Sequence, residues 1–220
     1  MGKKLNAILL LIFSILLSCG AGCTELGGFA VSGKASTLGL GGEITTGVTS
    51  NVNARVGINT LDLDNDWELE DIEYDLGLDF FSLTALVDWY VFDGSFHLSG
   101  GILSMDHEVS LDAKPIDNQE FGDNTYTPDE IGILSGCIEI DQVAPYVGIG
   151  WGNPLTHHRR WGFTCDFGVA FINSPDVSLS ATGPVAGLAG DLAKERAELE
   201  DDLEPFKFYP VIAVSFFYRF

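Results

Sequence analysis

Residues 208–220 read FYPVIAVSFFYRF, with an apolar residue at every second position from Phe208 to Phe220. Successive side chains of a β-strand point to opposite sides, so this spacing gives an extended chain one apolar face. The same period of two recurs in residues 51–61 and 161–173, where the other face carries small or charged residues. The pattern predicts a sheet with one apolar and one polar side.

Eight strands are predicted from this alternation. They are expected at about residues 28–33, 37–47, 51–61, 71–91, 96–111, 133–151, 161–173 and 207–220. The apolar positions change parity at Phe80 and Phe81, which predicts a β-bulge there. A soluble sandwich also produces alternation, so alternation alone does not distinguish it from a membrane barrel.

The connections between the predicted strands alternate in length. Short ones are expected at residues 49–50, 93–94 and 152–160, and longer ones at 62–70, 112–132 and 174–206. Outer-membrane barrels have short periplasmic turns and long outer loops. Within the last long loop, leucines at helical spacing predict a helix; they are Leu188, Leu192, Leu199 and Leu203.

Aromatic residues collect at the end of the predicted barrel that carries the short turns. The candidates for an interfacial belt are Trp89, Trp151, Trp161, Tyr218 and Phe220. The terminal Tyr218-Arg219-Phe220 resembles the C-terminal recognition signal of outer-membrane barrels, which implies the barrel-assembly machinery as a partner of the last strand. The predicted fold is therefore all-β, an eight-stranded antiparallel transmembrane β-barrel with a helical segment in the last outer loop.

The N-terminal segment predicts export. Residues 1–4 are basic, 5–17 are almost wholly apolar, and small residues follow, which is typical of a secretory signal peptide. We predict a signal peptide over residues 1–21 and the barrel over 22–220, in a bacterial outer membrane with its lipid and lipopolysaccharide. A lipoprotein signal ending at Cys19 is the alternative.

Composition excludes several classes of protein. The chain has 220 residues, a length typical of one domain, with 32 acidic and 11 basic side chains and a formal net charge of −21. That charge argues against nucleic-acid binding, which depends on Lys and Arg. Its four Cys lack metal-site spacing, and no Ser, His and acid constellation stands at a known motif spacing. We therefore predict no enzyme, no metal and no cofactor.

The polar face of the strands is predicted to line the barrel interior. The turn near Thr49 places Glu43 opposite Arg55, predicting a buried ion pair, and the turn at 93–94 places Asp88 beside Ser99. The candidates for lumen electrostatics are Glu43, Arg55, Asp75, Asp79, Asp88 and Asp166. An acid-lined passage favours cations, although eight strands enclose an interior that side chains nearly fill.

Two surface motifs suggest further readings. Asp62-x-Asp64-x-Asp66 followed by Glu73 resembles a calcium-binding loop, but Trp67 replaces the glycine that turns such a loop. A solvated acidic rim is the preferred interpretation, with loose divalent-cation binding as an alternative. The basic residues 157–160 are predicted to lie near lipid phosphates at the inner rim.

Several segments resemble a known family. Residues 144–150 (APYVGIG), Trp161-Gly162, residues 171–179 and residues 208–211 (FYPV) are similar to segments of the carbapenem-susceptibility-associated ornithine-uptake porins. The resemblance implies an eight-stranded barrel proposed to pass basic amino acids. The chain departs from that family in residues 113–132 and in the region of Cys19.

Two functions follow as expectations. The first is a narrow, porin-like passage for small cationic solutes such as basic amino acids. The alternative is a non-transporting structural or surface-binding barrel with acidic outer loops.

Overall fold

The computed structural model describes residues 28–69, 72–92, 94–122, 124–155, 160–185, 187–203, 205 and 207–220. The predicted signal peptide (1–21), Cys19, Asp93 and residues 157–159 lie outside these ranges.

The described chain consists mainly of strands. The strands and helices are, in chain order, β1 (Phe29–Ser36), β2 (Gly39–Thr49), β3 (Val52–Leu69), β4 (Ile72–Trp89), β5 (Phe96–Ala113), β6 (Gln119–Phe121), β7 (Asn124–Tyr126), α1 (Pro128–Ile131), β8 (Leu134–Trp151), β9 (Trp161–Phe171), β10 (Asp176–Ala181), α2 (Leu188–Leu203) and β11 (Phe208–Arg219). Helix α2 confirms the helix predicted in the last long loop. Within the described residues, no helix has the length and apolar character needed to cross a bilayer.

The main sheet closes on itself. Eight antiparallel strands follow one another around the ring in the order β1-β2-β3-β4-β5-β8-β9-β11, and β11 pairs again with β1. Strands β9 and β10 both pair with β8. Strand β9 pairs with residues 146–151 at the C-terminal end of β8, and β10 pairs with residues 134–139 at its N-terminal end. The predicted eight-stranded antiparallel barrel is confirmed.

The expected loop at 62–70 is wrong. Strand β3 continues to Leu69, and residues 62–69 pair in register with residues 72–79 of β4. The alternation of Leu61 and Leu63 with acidic residues is a strand pattern, although so many acidic residues in one segment are typical of a loop. A calcium-binding loop does not fit a paired strand.

The expected bulge at Phe80 and Phe81 is also wrong. The register of β4 with β3 and with β5 is unbroken along the whole strand. Ser82 and Thr84 are buried on the inner face, whereas Val87 and Trp89 are half exposed on the outer face. Phe80 belongs to the inner face, where its ring stacks on the buried His107 at 4.5 Å.

The residue pattern reverses while the strand does not. From Phe81 towards the N-terminal end of β4, the inner positions are apolar and the outer positions are mostly acidic. Asp75 and Asp79, predicted to line the lumen, are exposed on the outer face instead. What changes at this point is therefore the environment outside the barrel.

The reversal occurs at nearly the same register on neighbouring strands, with a step of two residues between β4 and β5, where Phe81 pairs with Asp106. On β3 the last neutral outer residue is Thr60 and the acid that follows is Asp62; they pair with Phe81 and Asp79 of β4. On β5 the last neutral outer residue is Ser104 and the acid that follows is Asp106; they pair with Val143 and Asp141 of β8. From Trp89 to Phe81 the apolar band runs about 26 Å along β4 before tilt, close to the height of the apolar band of outer-membrane barrels. The barrel thus has an apolar lower half and an extension with an acidic outside, which we call the wall.

Candidate functional site

A cluster of charged side chains fills the barrel at the level of the apolar band. Arg55 on β3 lies at its centre, and its guanidinium contacts three carboxylates. It donates to Glu43 at 3.3 Å, to Asp88 at 2.9 Å and to Asp166 at 3.1 Å. All four side chains are at most 5% exposed. We call these residues and their immediate partners the ionic cluster.

Three more side chains complete the ionic cluster. Lys34 Nζ lies 3.2 Å from Glu43, His97 Nε2 lies 3.0 Å from Asp166, and Ser99 donates to Asp88 at 2.7 Å. Two cationic side chains and a histidine therefore face three carboxylates. Pairing of this kind is what permits charge in an interior that excludes water. Carboxylates still outnumber Lys and Arg side chains in this cluster, but by less than expected, because the acids predicted at 75 and 79 lie outside.

The structure brings together four of the six predicted lumen residues, namely Glu43, Arg55, Asp88 and Asp166. The predicted ion pair between Glu43 and Arg55 is present, but the register differs by two residues. Arg55 pairs with Thr45 and Glu43 with Gly57, so the side chains meet diagonally across the pair of strands. The predicted neighbours Asp88 and Ser99 are direct partners in register.

Lys34 was not predicted as a lumen residue, because β1 was expected to end at residue 33. Ala30 and Ser32 face inward, and a strand that continues to Ser36 places Lys34 on the same face. The alternation contained this signal, but the strand is short and rich in small residues.

Glycines let large side chains in the interior lie directly against the backbone of the barrel strands. The Tyr146 ring covers Gly148 and Gly168, and the His97 ring covers Gly150, so a Cβ at any of the three positions would collide with the ring. The absence of side chains at these positions makes room for Tyr146 and His97 in a narrow interior.

An apolar layer covers the ionic cluster. Its buried core consists of Leu38, Leu86, Leu103, Met105, Ala144, Tyr146, Ala170, Ile172 and Val211. Between this layer and the ionic cluster lies a cavity of about 10 Å³, bordered by Lys34, Arg55 and Asp166 on its charged side. That volume holds on the order of one water molecule. Side chains thus fill the barrel at this level, as expected for eight strands.

The five aromatic residues predicted as a belt are exposed at the short-turn end. Their exposed fractions are 50% for Trp89, 61% for Trp151, 61% for Trp161, 43% for Tyr218 and 67% for Phe220. Phe96 packs edge-on against Trp151 at 4.9 Å, and Phe29 stacks on Phe220 at 4.9 Å. Their role at a membrane interface stays a prediction.

A second apolar core holds a cap at the opposite end. Leu188 and Leu192 of α2 pack with Phe121, Tyr126 and Ile131 from the long connection between β5 and β8. This cap lies above the end of β8 and β10, where Leu134 and Ala181 border the same core.

Asp191 of α2 fastens the helix to the β6–β7 hairpin. Its carboxylate accepts hydrogen bonds from Asn124 at 2.7 Å, from the Tyr126 hydroxyl at 2.7 Å and from Lys194 at 2.9 Å. These donors favour the charged form and hold the pKa of Asp191 well below its usual range, the bond from Asn124 contributing most. A lowered pKa in the folded state stabilises the cap above the ordinary pKa of a carboxyl group, and this contribution is lost as the pH falls through the lowered value.

Replacing Asp191 with alanine is expected to detach α2 from the hairpin, because the hairpin donors Asn124 and Tyr126 lose their acceptor at once. Limited trypsin digestion of the folded barrel should then cleave after Lys194 or Arg196 at least several-fold faster than in the parent protein. The control is Asp201→Ala, an exposed acid on the same helix. Equal cleavage rates in the two variants would contradict the proposed attachment.

The chain resembles known proteins in its three-dimensional structure. No family model matches the chain, and no curated protein matches its sequence. Its structure resembles the crystal structure of CarO2 from Acinetobacter baumannii, with a TM-score of 0.65 and 18% identity over 90% of this chain and 100% of that one. The chain shares its fold with CarO. A second structure, CarO of the same organism, gives a TM-score of 0.64 and 18% identity over 87% of this chain and 97% of that one.

The resemblance to CarO agrees with the one found in the sequence. At 18% identity it concerns the barrel fold and assigns no solute or site residue to the chain. Among the described residues, no group of three His, Cys, Asp or Glu side chains is arranged to hold a metal ion.

Proposed function

We propose that the chain is a non-transporting barrel of a bacterial outer membrane, which displays its acidic wall and cap at the cell surface. Bilayer lipid would cover the apolar band, lipopolysaccharide would surround the wall, and the barrel-assembly machinery would bind the C-terminal strand. The proposal assigns no catalysis to the chain. It is supported by the change of the outer residues from apolar to acidic, which falls within two residues of the same register on β3, β4, β5 and β8.

The filled interior carries the non-transporting part of the proposal. A solute that crosses the barrel has to pass both the apolar layer and the ionic cluster, where the cavity between them measures only about 10 Å³. Moving Arg55 aside would leave three buried carboxylates without their shared partner. Uncompensated buried charge of this kind is strongly destabilising, so spontaneous opening should be rare.

The passage predicted from the sequence, for small cationic solutes such as basic amino acids, is a second candidate. One observation favours it: three carboxylates converge on a guanidinium at the centre of the barrel. A cationic solute has the chemistry to replace Arg55 there, provided that Arg55 and the apolar layer move.

Conductance across planar lipid bilayers distinguishes the two candidates. We expect the folded, purified protein to give no stepwise current in potassium chloride, in the presence or absence of lysine or arginine. Stepwise, cation-selective currents that weaken in Asp166→Asn, and not in the wall variant Asp106→Asn, would overturn the non-transporting proposal. Folding of each sample has to be verified by heat-dependent mobility in gels.

A further inference from the structure

The wall has an open side. Strands β3, β4, β5, β8 and β10 continue above the apolar band, whereas β1, β2 and β11 stop near its upper limit, at Ser36, Gly39 and Phe208. The pairing of β2 with β3 ends at Leu40 and Thr60. Within the described residues, β3 therefore has no neighbouring strand on one side from Leu61 to Leu69. We call this stretch the free edge.

The free edge presents backbone groups for pairing. Residues 61–69 are held extended by an unbroken register with β4, so their remaining N–H and C=O groups are aligned along the open side. An extended peptide that adds to such an edge gains main-chain hydrogen bonds, and its alternate side chains contact the two faces of the sheet.

The two faces of the free edge differ in chemistry. Asp62 and Asp64 are exposed on the outer face, and Asp62 pairs with Asp79 of β4, which adds further negative charge. On the inner face Leu63 is 50% exposed, next to Leu61. An added strand would therefore meet carboxylates on one face and apolar side chains on the other.

This arrangement disfavours a second copy of the chain as the occupant. Two free edges paired with one another would bring acidic side chains opposite acidic side chains, and directly opposed like charges are destabilising. Charged residues on an edge strand commonly serve to prevent such self-association. The same charges attract a strand of the opposite sign.

We propose that the free edge of β3 binds an extended peptide segment in which basic residues alternate with apolar ones. The basic side chains would lie over Asp62 and Asp64, the apolar ones would cover Leu61 and Leu63, and the backbone would extend the sheet by one strand. The inference deepens the proposed function, since it names the class of partner that the displayed surface binds.

The test uses the full barrel in detergent and a fluorescent synthetic peptide of alternating lysine and valine. Binding is measured by fluorescence anisotropy at low and at physiological salt. We expect saturable binding that weakens at least tenfold when alternate backbone amides of the peptide are N-methylated, because N-methylation removes donors and leaves charge unchanged. A glutamate and valine peptide should not bind.

Protein variants locate the site. Asp62→Asn with Asp64→Asn should weaken binding at least tenfold. The matched control is Asp106→Asn with Glu108→Gln, which removes the same charge from β5, a strand with neighbours on both sides. Circular dichroism and heat-dependent gel mobility verify that both variants are folded.

Three outcomes would overturn the inference: no binding at all, equal binding of the N-methylated peptide, or equal effects of the two pairs of substitutions. The last two would show that the peptide is held by general attraction to an acidic surface. None of these outcomes bears on the conductance of the barrel, so failure of this inference is distinguishable from failure of the proposed function.

Discussion

Replacing Arg55 with methionine should lower the free energy of unfolding by about 3–5 kcal/mol, the cost of removing one partner from a buried ionic network. The guanidinium contacts Glu43, Asp88 and Asp166, each of them buried. Without it, these carboxylates face one another with only Lys34 and His97 as nearby partners. Urea titration in detergent or lipid vesicles, followed by tryptophan fluorescence, measures the loss.

Two further variants show whether the charge is the cause. Lys34→Met should cost less, because its only partner in the ionic cluster, Glu43, still contacts Arg55. Combining Arg55→Met with Asp88→Asn and Asp166→Asn should recover a large part of the lost stability, since the one carboxylate that remains, Glu43, keeps Lys34 as its partner. A loss in Arg55→Met that the combination leaves unchanged would point to packing of the long side chain instead.

Placing arginine on the outer face should have opposite consequences at the two ends of β8. Val147 lies in the middle of the apolar band and is 52% exposed, and arginine there should cost about 2–4 kcal/mol of stability in a bilayer. Cys137 lies on the same face ten residues earlier, between Ser110 and Ser178 of the wall. Arginine at 137 should cost close to nothing, because water and nearby acids surround it.

Refolding into lipid vesicles followed by urea titration measures both variants. Comparable losses at the two positions would mean that both ends of the strand have the same surroundings. The comparison holds strand, face and substituted residue type constant, so that the surroundings of the side chain are the main difference.

Most strands were predictable because a period of two is a direct consequence of strand geometry. The ends of β2, β4, β5, β8, β9 and β11 lie within two residues of the predicted ones. Strand β3 was predicted eight residues too short, since acids at 62, 64, 66 and 68 suggested a loop. The alternation was present there too, but Asp62 and Asp64 are exposed on the outer face instead of lining the barrel interior.

The assignment of Asp75 and Asp79 failed for a related reason. Parity identifies which residues share a face, but it does not state which face is inside. The prediction places the apolar face of β4 on the outside along the whole strand. Above the apolar band, however, the apolar face of β4 is the inner one. A strand that leaves a membrane reverses its pattern without a bulge, and only the registers of β3 and β5 with β4 reveal this.

Most members of the ionic cluster were predictable, with Lys34 as the exception, but its geometry was not. The turn at 93–94 gave the correct register for Asp88 and Ser99, because its two-residue signal defines the centre of the hairpin. The turn after β2 lies at Ser50 and Asn51, later than the expected centre near Thr49, and this displaced the expected partner of Arg55 by two residues. The convergence of Asp166 from β9 on Arg55 depends on closure of the barrel, and no local pattern encodes that distance.

Accessibility of nitroxide labels along β4 tests the central claim most directly, namely that an unbroken strand passes from lipid to water between Phe81 and Asp79. With Cys19, Cys23, Cys137 and Cys165 all replaced by serine, single cysteines at positions 87, 83, 79, 75 and 80 are labelled in lipid vesicles. We expect labels at 87 and 83 to be reached by oxygen from the lipid, labels at 79 and 75 to be reached by a water-soluble nickel complex, and the label at 80 to be shielded from both. Access of the nickel complex at 80 with shielding at 79, or aqueous access at 83 and 87, would contradict the account.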